Sequence, residues 1–235
     1  MPQPLIRARL SALKQRLRSR FVFFGTLRET YPVNPAFGIG RGTPVDRYYI
    51  DRFLSARSEA IRGRVLEIGD RESTTRYGSG VTKSDVLHFE AGNPEATIVG
   101  DIADCPQIPT DSFDCIILLQ TLHYVYDMEA AVAELHRILA PGGHLLCSVP
   151  GISQISRHDM DRWGDRWRLT SLSASELFAT SFEPEETTVV TYGNTLTALC
   201  FLEGITAEKL RPRELDASHP DYQLIVAIDA VKSSS

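Results

Sequence analysis

The sequence predicts a doubly wound α/β sheet of seven mostly parallel strands, preceded by an N-terminal helical extension. Three observations predict it. Short apolar runs at 65–69, 85–89, 97–99, 113–119 and 144–149 alternate with helical-period segments or short crossovers. The run FDCIILL at 113–119 is apolar on both faces, as a strand buried between two helix layers must be. The first run, VLEIG, ends in an acid and a glycine, the residue types that let a chain turn tightly at the carboxyl end of a strand, where such sheets bind ligands.

The chain has 235 residues, 43% hydrophobic and 23% charged, enough to bury a sizeable core. Its net charge of −5 speaks against bulk attraction to nucleic acid, so no nucleic-acid partner is expected. Seven basic residues (Arg7, Arg9, Lys14, Arg16, Arg18, Arg20, Arg28) precede the first acid, Glu29. Leu5, Ile6, Leu10, Leu13 and Leu17 recur at helical spacing, which predicts a basic amphipathic helix over 3–20 running into the apolar 21–24. Such a helix packs on its own domain or makes a weak contact with an acidic membrane surface or a protein. Residues 30–44, with Pro32, Pro35, Gly38, Gly40, Gly42 and Pro44, read as a linker or lid, so the expected division is 1–44 and 45–235.

A helix over 46–62, stopped by Gly63, leads into the first strand. The second strand is either 85–89 or 81–85. After the strand at 113–119, a helix over 128–139 presents Ala131, Leu135, Ile138 and Leu139 on one face, and Pro141-Gly142-Gly143 ends it. A helix at 174–181, a strand at 187–192, a helix at 195–202 and a last strand within 222–231 complete seven strands, the last of them free to insert antiparallel. Cys105, Cys115, Cys147 and Cys200 are scattered without a CxxC pair and read as free thiols of a reducing, cytoplasmic compartment. There is no apolar stretch of membrane-spanning length and no secretory h-region.

The order of VLEIG at 65–69, ATIVGDI at 96–102, IPTDSFDCIILLQTLHYVYD at 108–127 and LHRILAPGGHLLCSVPG at 135–151 resembles the class I S-adenosylmethionine-dependent methyltransferases, in particular the small-molecule enzymes often grouped as type 11. The resemblance implies a Rossmann-like methyltransferase fold, S-adenosylmethionine as cofactor and a small-molecule acceptor. It implies cofactor contacts from Glu67, Gly69 and Asp70 after the first strand, and from Asp101 and Ile102 at the adenine. Gln120 and Leu122 are implied after the fourth strand, facing the sulfonium. Glu90, twenty-three residues after Glu67, is a candidate for the ribose hydroxyls, with Asp85 competing; Glu67 could instead cap the following helix. The chain departs from the family at Arg71 and Ser73, where glycines are usual, and between Glu90 and Asp101, where too few residues remain for the usual second helix.

The acceptor side is carried by 151–172, dense in His, Asp, Arg and Trp, directly after the fifth strand. His158 with Asp159 or Asp161 is a candidate base for a hydroxyl acceptor, with His123 secondary, and Arg157, Trp163 and Trp167 are candidate acceptor contacts, the tryptophans suiting a sugar or aromatic face. Trp163 and Trp167, four apart, could equally be one packed helix face. No metal-ligand spacing is present. The leading expectation is methyl transfer to a hydroxyl of a sugar or natural product. The alternative is a non-catalytic, methyltransferase-like binding or sensing domain, motivated by Arg71 and Ser73. A nicotinamide oxidoreductase is disfavoured by the missing GxGxxG. Oligomeric state is left open.

Overall fold

A computed structural model describes residues 25–234 of the chain, which divides into two units, Met1–Pro32 and Val33–Ser235. The basic helix expected over 3–20 and the apolar 21–24 lie outside the described residues. Of the first unit the described part is residues 25–32, with a 3-10 turn at Gly25–Arg28.

In the second unit seven strands form one sheet: β1 (Gly63–Ile68), β2 (Val81–His88), β3 (Ile98–Val99), β4 (Phe113–Leu119), β5 (Leu139–Pro150), β6 (Thr187–Tyr192) and β7 (Ile225–Val231). Their order is β3-β2-β1-β4-β5-β7-β6; the first five are parallel and β7 runs antiparallel to both neighbours. The winding therefore reverses between β1 and β4, which is where a doubly wound sheet opens a crevice. Both proposed second strands are one strand: Asp85 lies in its middle and Glu90 beyond its end. The expected strands 113–119 and 187–192 have the observed bounds. The helix expected to stop at Pro141 ends at Ile138 instead, because β5 starts at Leu139 and carries the Pro-Gly-Gly within it, tied to the far end of the chain by Gly142 N–H to Lys232 O (2.7 Å).

Alternation along the strands sends side chains to two cores. Leu66, Ile116, Leu118, Leu145 and Ile228 meet helices α3 (Met128–Ile138) and α5 (Ser171–Phe178) on one face. Val65, Cys115, Ile117, Leu146 and Ala227 meet α1 (Val45–Ser55) and α6 (Thr195–Leu202) on the other. These faces explain the apolar stripes read from the sequence: Ala131, Val132, Leu135 and Ile138 are the buried residues of α3. Between β1 and β2 stands only the short α2 (Glu72–Tyr77), and no helix separates β2 from β3, as the short 90–101 spacing requires. All four cysteines are buried and unpaired. Among the described residues no helix is long and apolar enough to cross a membrane.

The stretch expected as a linker or lid is, from Val33 onward, part of the folded unit. Its backbone docks on the end of α6: Asn34 N–H reaches Glu203 O (2.9 Å), Ala207 N–H reaches Thr43 O (2.8 Å), and the Phe37 and Phe201 rings lie 5.5 Å apart. The docking depends on how α6 ends. Gly204 at φ +66 takes the left-handed turn, with its N–H on Phe201 O and Ile205 N–H on Cys200 O, closing both exposed carbonyls of the last turn. A Cβ on Gly204 would lie 2.1 Å from Asn34 O. Gly204→Ala is therefore expected to lower stability by about 2–4 kcal/mol, combining left-handed strain with displacement of the docked strand. Gly40→Ala, at φ +79 but with open space around its Cβ, should cost only about 1–2 kcal/mol; urea unfolding of the two variants checks the difference, and equal losses would remove the docking argument.

Candidate functional site

A crevice of about 730 Å3 opens at the carboxyl ends of β1, β2 and β4. That is the range in which small-molecule and cofactor pockets fall. Its floor is made by the residues that leave the strands: Gly69 and Asp70 after β1, Leu87 and His88 at the end of β2, Asp101 and Ile102 after β3, and Gln120 and Thr121 after β4.

Gly69 has φ +93, and a Cβ built on it would meet no atom within 4 Å, so its bare backbone faces the open crevice. The loop that follows is fixed without further glycines. Glu67 accepts from Ser73 N (3.0 Å), Thr74 N (2.8 Å) and Thr74 Oγ1 (2.7 Å), capping α2 from inside the sheet. Arg71 turns away to donate to Glu95 Oε2 (3.3 Å) and Glu95 O (3.1 Å), while Asn93 Nδ2 donates to Gly69 O (2.6 Å). The two side chains that replace glycines thus leave the crevice clear. Gln120 occupies the left-handed region at φ +46, held by its N–H on Ser148 O (2.9 Å) and its side chain on Ser148 Oγ (3.2 Å). For a non-glycine residue such a conformation is strained and persists only where neighbours over-determine it.

The other wall comes from residues 151–170, which contain the single-turn α4 (Arg157–Met160). Asp165, buried, receives both Nη groups of Arg168 (2.5 and 2.9 Å) and Ser156 N–H (2.9 Å). Burial alone would push this carboxyl up, but the Arg168 fork and the backbone bond outweigh it and hold it below the usual range. The segment is stitched to the turn after β4: Arg166 and Trp167 N–H both reach His123 O (3.2 Å), Trp167 Nε1 reaches Val125 O (3.0 Å), and the Arg166 guanidinium reaches Tyr124 O. Tyr124 donates its hydroxyl to Asp159 Oδ2 (2.8 Å), and both residues line the crevice. Burial and the Asp159 charge raise the Tyr124 pKa, so the phenol keeps its proton. Burial opposes the charge on Asp159, yet hydrogen bonds from Ser156, His158 and Tyr124 prevail and keep it ionised.

Of the residues expected from the sequence, Gly69, Asp70, Asp101, Ile102, Gln120 and Trp163 line this crevice together. The others stand elsewhere for definite reasons. Glu67 spends its carboxylate on α2. Glu90 is exposed past the end of β2, and the competing Asp85 is buried against Arg64, Lys83 and Thr97, so β2 offers the crevice no carboxylate. Leu122 belongs to the core under α3. His123 is buried with Nε2 3.9 Å from Asp165 and Nδ1 without a partner. His158 is exposed, its Nδ1 3.2 Å from the outer oxygen of Asp159; Arg157 and Asp161 pair with each other on the surface (3.4 Å). Trp167 packs near Tyr126, ring centroids 6.1 Å apart. Asp159, expected only as a companion of His158, lines the crevice too, and so do Arg47, Tyr124, Arg162 and Arg166, which had not been singled out as site residues. Only Tyr124, inside the LHYVYD turn, and Asp159, beside His158, carried a local sign of it.

A methyltransferase-domain family matches residues 80–147. A ubiquinone/menaquinone biosynthesis C-methyltransferase from Methylobacterium nodulans is 32% identical over 111 residues, which are 44% of this chain and 40% of that protein. The chain thus aligns with less than half of that curated relative. Among solved structures, a possible histamine N-methyltransferase from Thermotoga maritima superposes with a TM-score of 0.54 at 18% identity, over 80% of this chain and 92% of that one. Phosphoethanolamine N-methyltransferase 2 of Haemonchus contortus, solved with S-adenosyl-L-methionine, does so with a TM-score of 0.51 at 13% identity, over 80% and 57%. At these identities the structural likeness speaks for the fold.

His123 gives this site a pH dependence. Burial, only partly opposed by Asp165, lowers its pKa from 6.5 to about 4. Between those values the unfolded chain binds a proton that the folded chain refuses, so stability rises with pH through that window and is lost as pH falls from 6.5 toward 4. The expected loss is about 3 kcal/mol. Asp159 and Asp165, held below the usual carboxylate range, lose their share at lower pH still. His123→Gln should flatten the pH 4–6.5 slope of the urea midpoint, and an unchanged slope would show that this histidine is not the group responsible.

Proposed function

We propose that this chain is a class I S-adenosylmethionine-dependent methyltransferase that binds S-adenosylmethionine in the crevice and methylates a small-molecule acceptor there, a reading supported by the fold and by the matched segment. The observation that carries the reading is the joint presence of Gly69, Asp101, Ile102 and Gln120 on the floor of one crevice at the reversal of the sheet. The cofactor, when bound, supplies an electrophilic methyl group on a sulfonium.

The chain's own part is to bind and align. Gly69 offers backbone without a side chain; Asp101, which accepts one bond from Ala103 N–H (2.9 Å), keeps its second oxygen for an amine such as that of adenine; Ile102 gives an apolar surface beside it. The acceptor atom is a hydroxyl oxygen on the Asp159 side. Its proton becomes strongly acidic as the new bond to carbon forms, so a carboxylate of low basicity suffices to receive it. Tyr124 holds that carboxylate in place and keeps its own proton. Of the candidate bases His158, Asp159, Asp161 and His123, Asp159 is given the role because it alone of the four lines the crevice.

The non-catalytic alternative loses its first motive, because neither Arg71 nor Ser73 lines the crevice. It keeps one supporting observation: β2 ends in His88 and Phe89 where a ribose-binding carboxylate was expected. Calorimetry and turnover separate the two. Asp101→Ala should weaken S-adenosylhomocysteine binding by roughly five- to a hundredfold, the worth of about 1–3 kcal/mol. Asp159→Asn should lower turnover of an identified acceptor by about a hundredfold or more with the same affinity for S-adenosylhomocysteine, and His158→Ala by only a few-fold. Cofactor binding with no acceptor turned over under any condition would leave the sensing domain as the reading.

A further inference from the structure

Three exposed arginines line the crevice: Arg47 from α1, beside Asp46, and Arg162 and Arg166 from the wall after β5, neither of which pairs with a carboxylate among the described residues. Arg162 gives Nη1 to His158 O (3.0 Å), and Arg166 gives Nη1 to Trp163 O (2.5 Å) and Tyr124 O, so both donate only to neutral carbonyls and keep their charge unanswered. Arg47 already acts on the neighbouring Asp46: burial raises that carboxyl, and the Arg47 charge and the Arg47 backbone N–H lower it. The half-buried arginines of the fold differ from Arg162 and Arg166: Arg57, Arg64, Arg137 and Arg168 each hold an acid at 3.0 Å or less. The acids of the crevice accept from other groups, Asp70 from Glu72 N–H (2.8 Å), Asp101 from Ala103 N–H and Asp159 from Tyr124 and His158, and none of them pairs with Arg162 or Arg166. In a chain of net charge −5, with acids in surplus, two arginines at one crevice that hold no acid among the described residues, with a third close by, mark a place for an incoming anion. Beside them stand the Tyr124 and Trp163 rings, centroids 5.9 Å apart and tilted by 42°, which present flat apolar surface in the same wall.

We propose that the methyl acceptor is a flat, ring-bearing oxyanion, a carboxylate or phosphate attached to an aromatic hydroxyl compound, with its anionic group on Arg162 and Arg166 and its ring against Trp163 and Tyr124. This rests on the crevice being the methyl-transfer site, and it names the acceptor class that the site takes. The hydroxyl then faces Asp159, while Arg47 remains for the carboxylate of the cofactor. Sugars and other neutral natural products leave the arginines without a partner and are the poorer fit.

The test uses the full chain saturated with S-adenosylhomocysteine, titrated at about 50 mM salt with 4-hydroxybenzoate, 4-hydroxyphenyl phosphate and neutral 4-hydroxybenzyl alcohol, read by calorimetry. At least one of the two anions should bind about tenfold or more tighter than the alcohol and lose that advantage as salt is raised. The stronger of the two identifies the oxyanion. In R162Q/R166Q the preference should disappear with the affinity for S-adenosylhomocysteine kept within about twofold. Because Arg166 also ties the wall to Tyr124, R162Q alone serves as the variant that leaves that tie intact, and it should lose at least about threefold of the preference. If neither anion outbinds the alcohol, or if the preference survives in both variants, the inference is wrong. Absence of S-adenosylhomocysteine binding would instead overturn the methyl-transfer reading, and the same titrations without it would still report on the arginines.

Discussion

The reversal of winding between β1 and β4 is the constraint on which everything else in this molecule rests. Two parallel strands whose crossovers leave in opposite directions cannot both be roofed by their own helices, so their carboxyl ends open onto a gap. The two cores, one under α3 and α5 and one under α1 and α6, press the sheet from both faces and keep those ends level. The backbone that emerges there is then shaped by single residues: Gly69 because it must turn with positive φ, Gln120 because Ser148 holds it in a conformation it would not otherwise keep.

The two walls of the gap are made by different physics. The loop after β1 is closed by local bonds within the sheet's own end, with Glu67 feeding α2 and Arg71 and Asn93 joining it to the β2–β3 turn. Its shape is set before anything binds, which lowers the ordering cost of binding. The wall after β5 has little regular structure. It owes its position to one buried fork, Asp165 with Arg168, and to main-chain bonds onto the His123 carbonyl. His123 is buried in that junction as a neutral ring, which is why acid acts on this wall first.

Most of the sheet was legible in the sequence because burial on two faces leaves a signature that solvent-facing elements do not. FDCIILL and TTVVTY have no other economical interpretation, and the LHRILAPGG passage fixes α3 and β5 to within a few residues. The start of the folded unit was misread, since Pro and Gly suggest a loop but say nothing of what the loop packs on; the partner of Asn34 is Glu203, far along the chain. At the site, residues that leave strand ends were found, and those whose role depends on direction were not. Glu67 is on the right strand but faces α2, and Glu90 lies one turn too late. Arg47 could not be found at all, because nothing in an exposed arginine of an amphipathic helix tells which crevice that helix borders.

The division of labour between the walls has an evolutionary consequence. The wall after β5 lies on a segment that joins β5 to α5 and contributes little to either core, so replacing its exposed side chains perturbs neither the strand pairing nor the bonds around Gly69. One rim of the crevice is thus free to vary over some twenty residues while the strand ends that make its floor stay as they are.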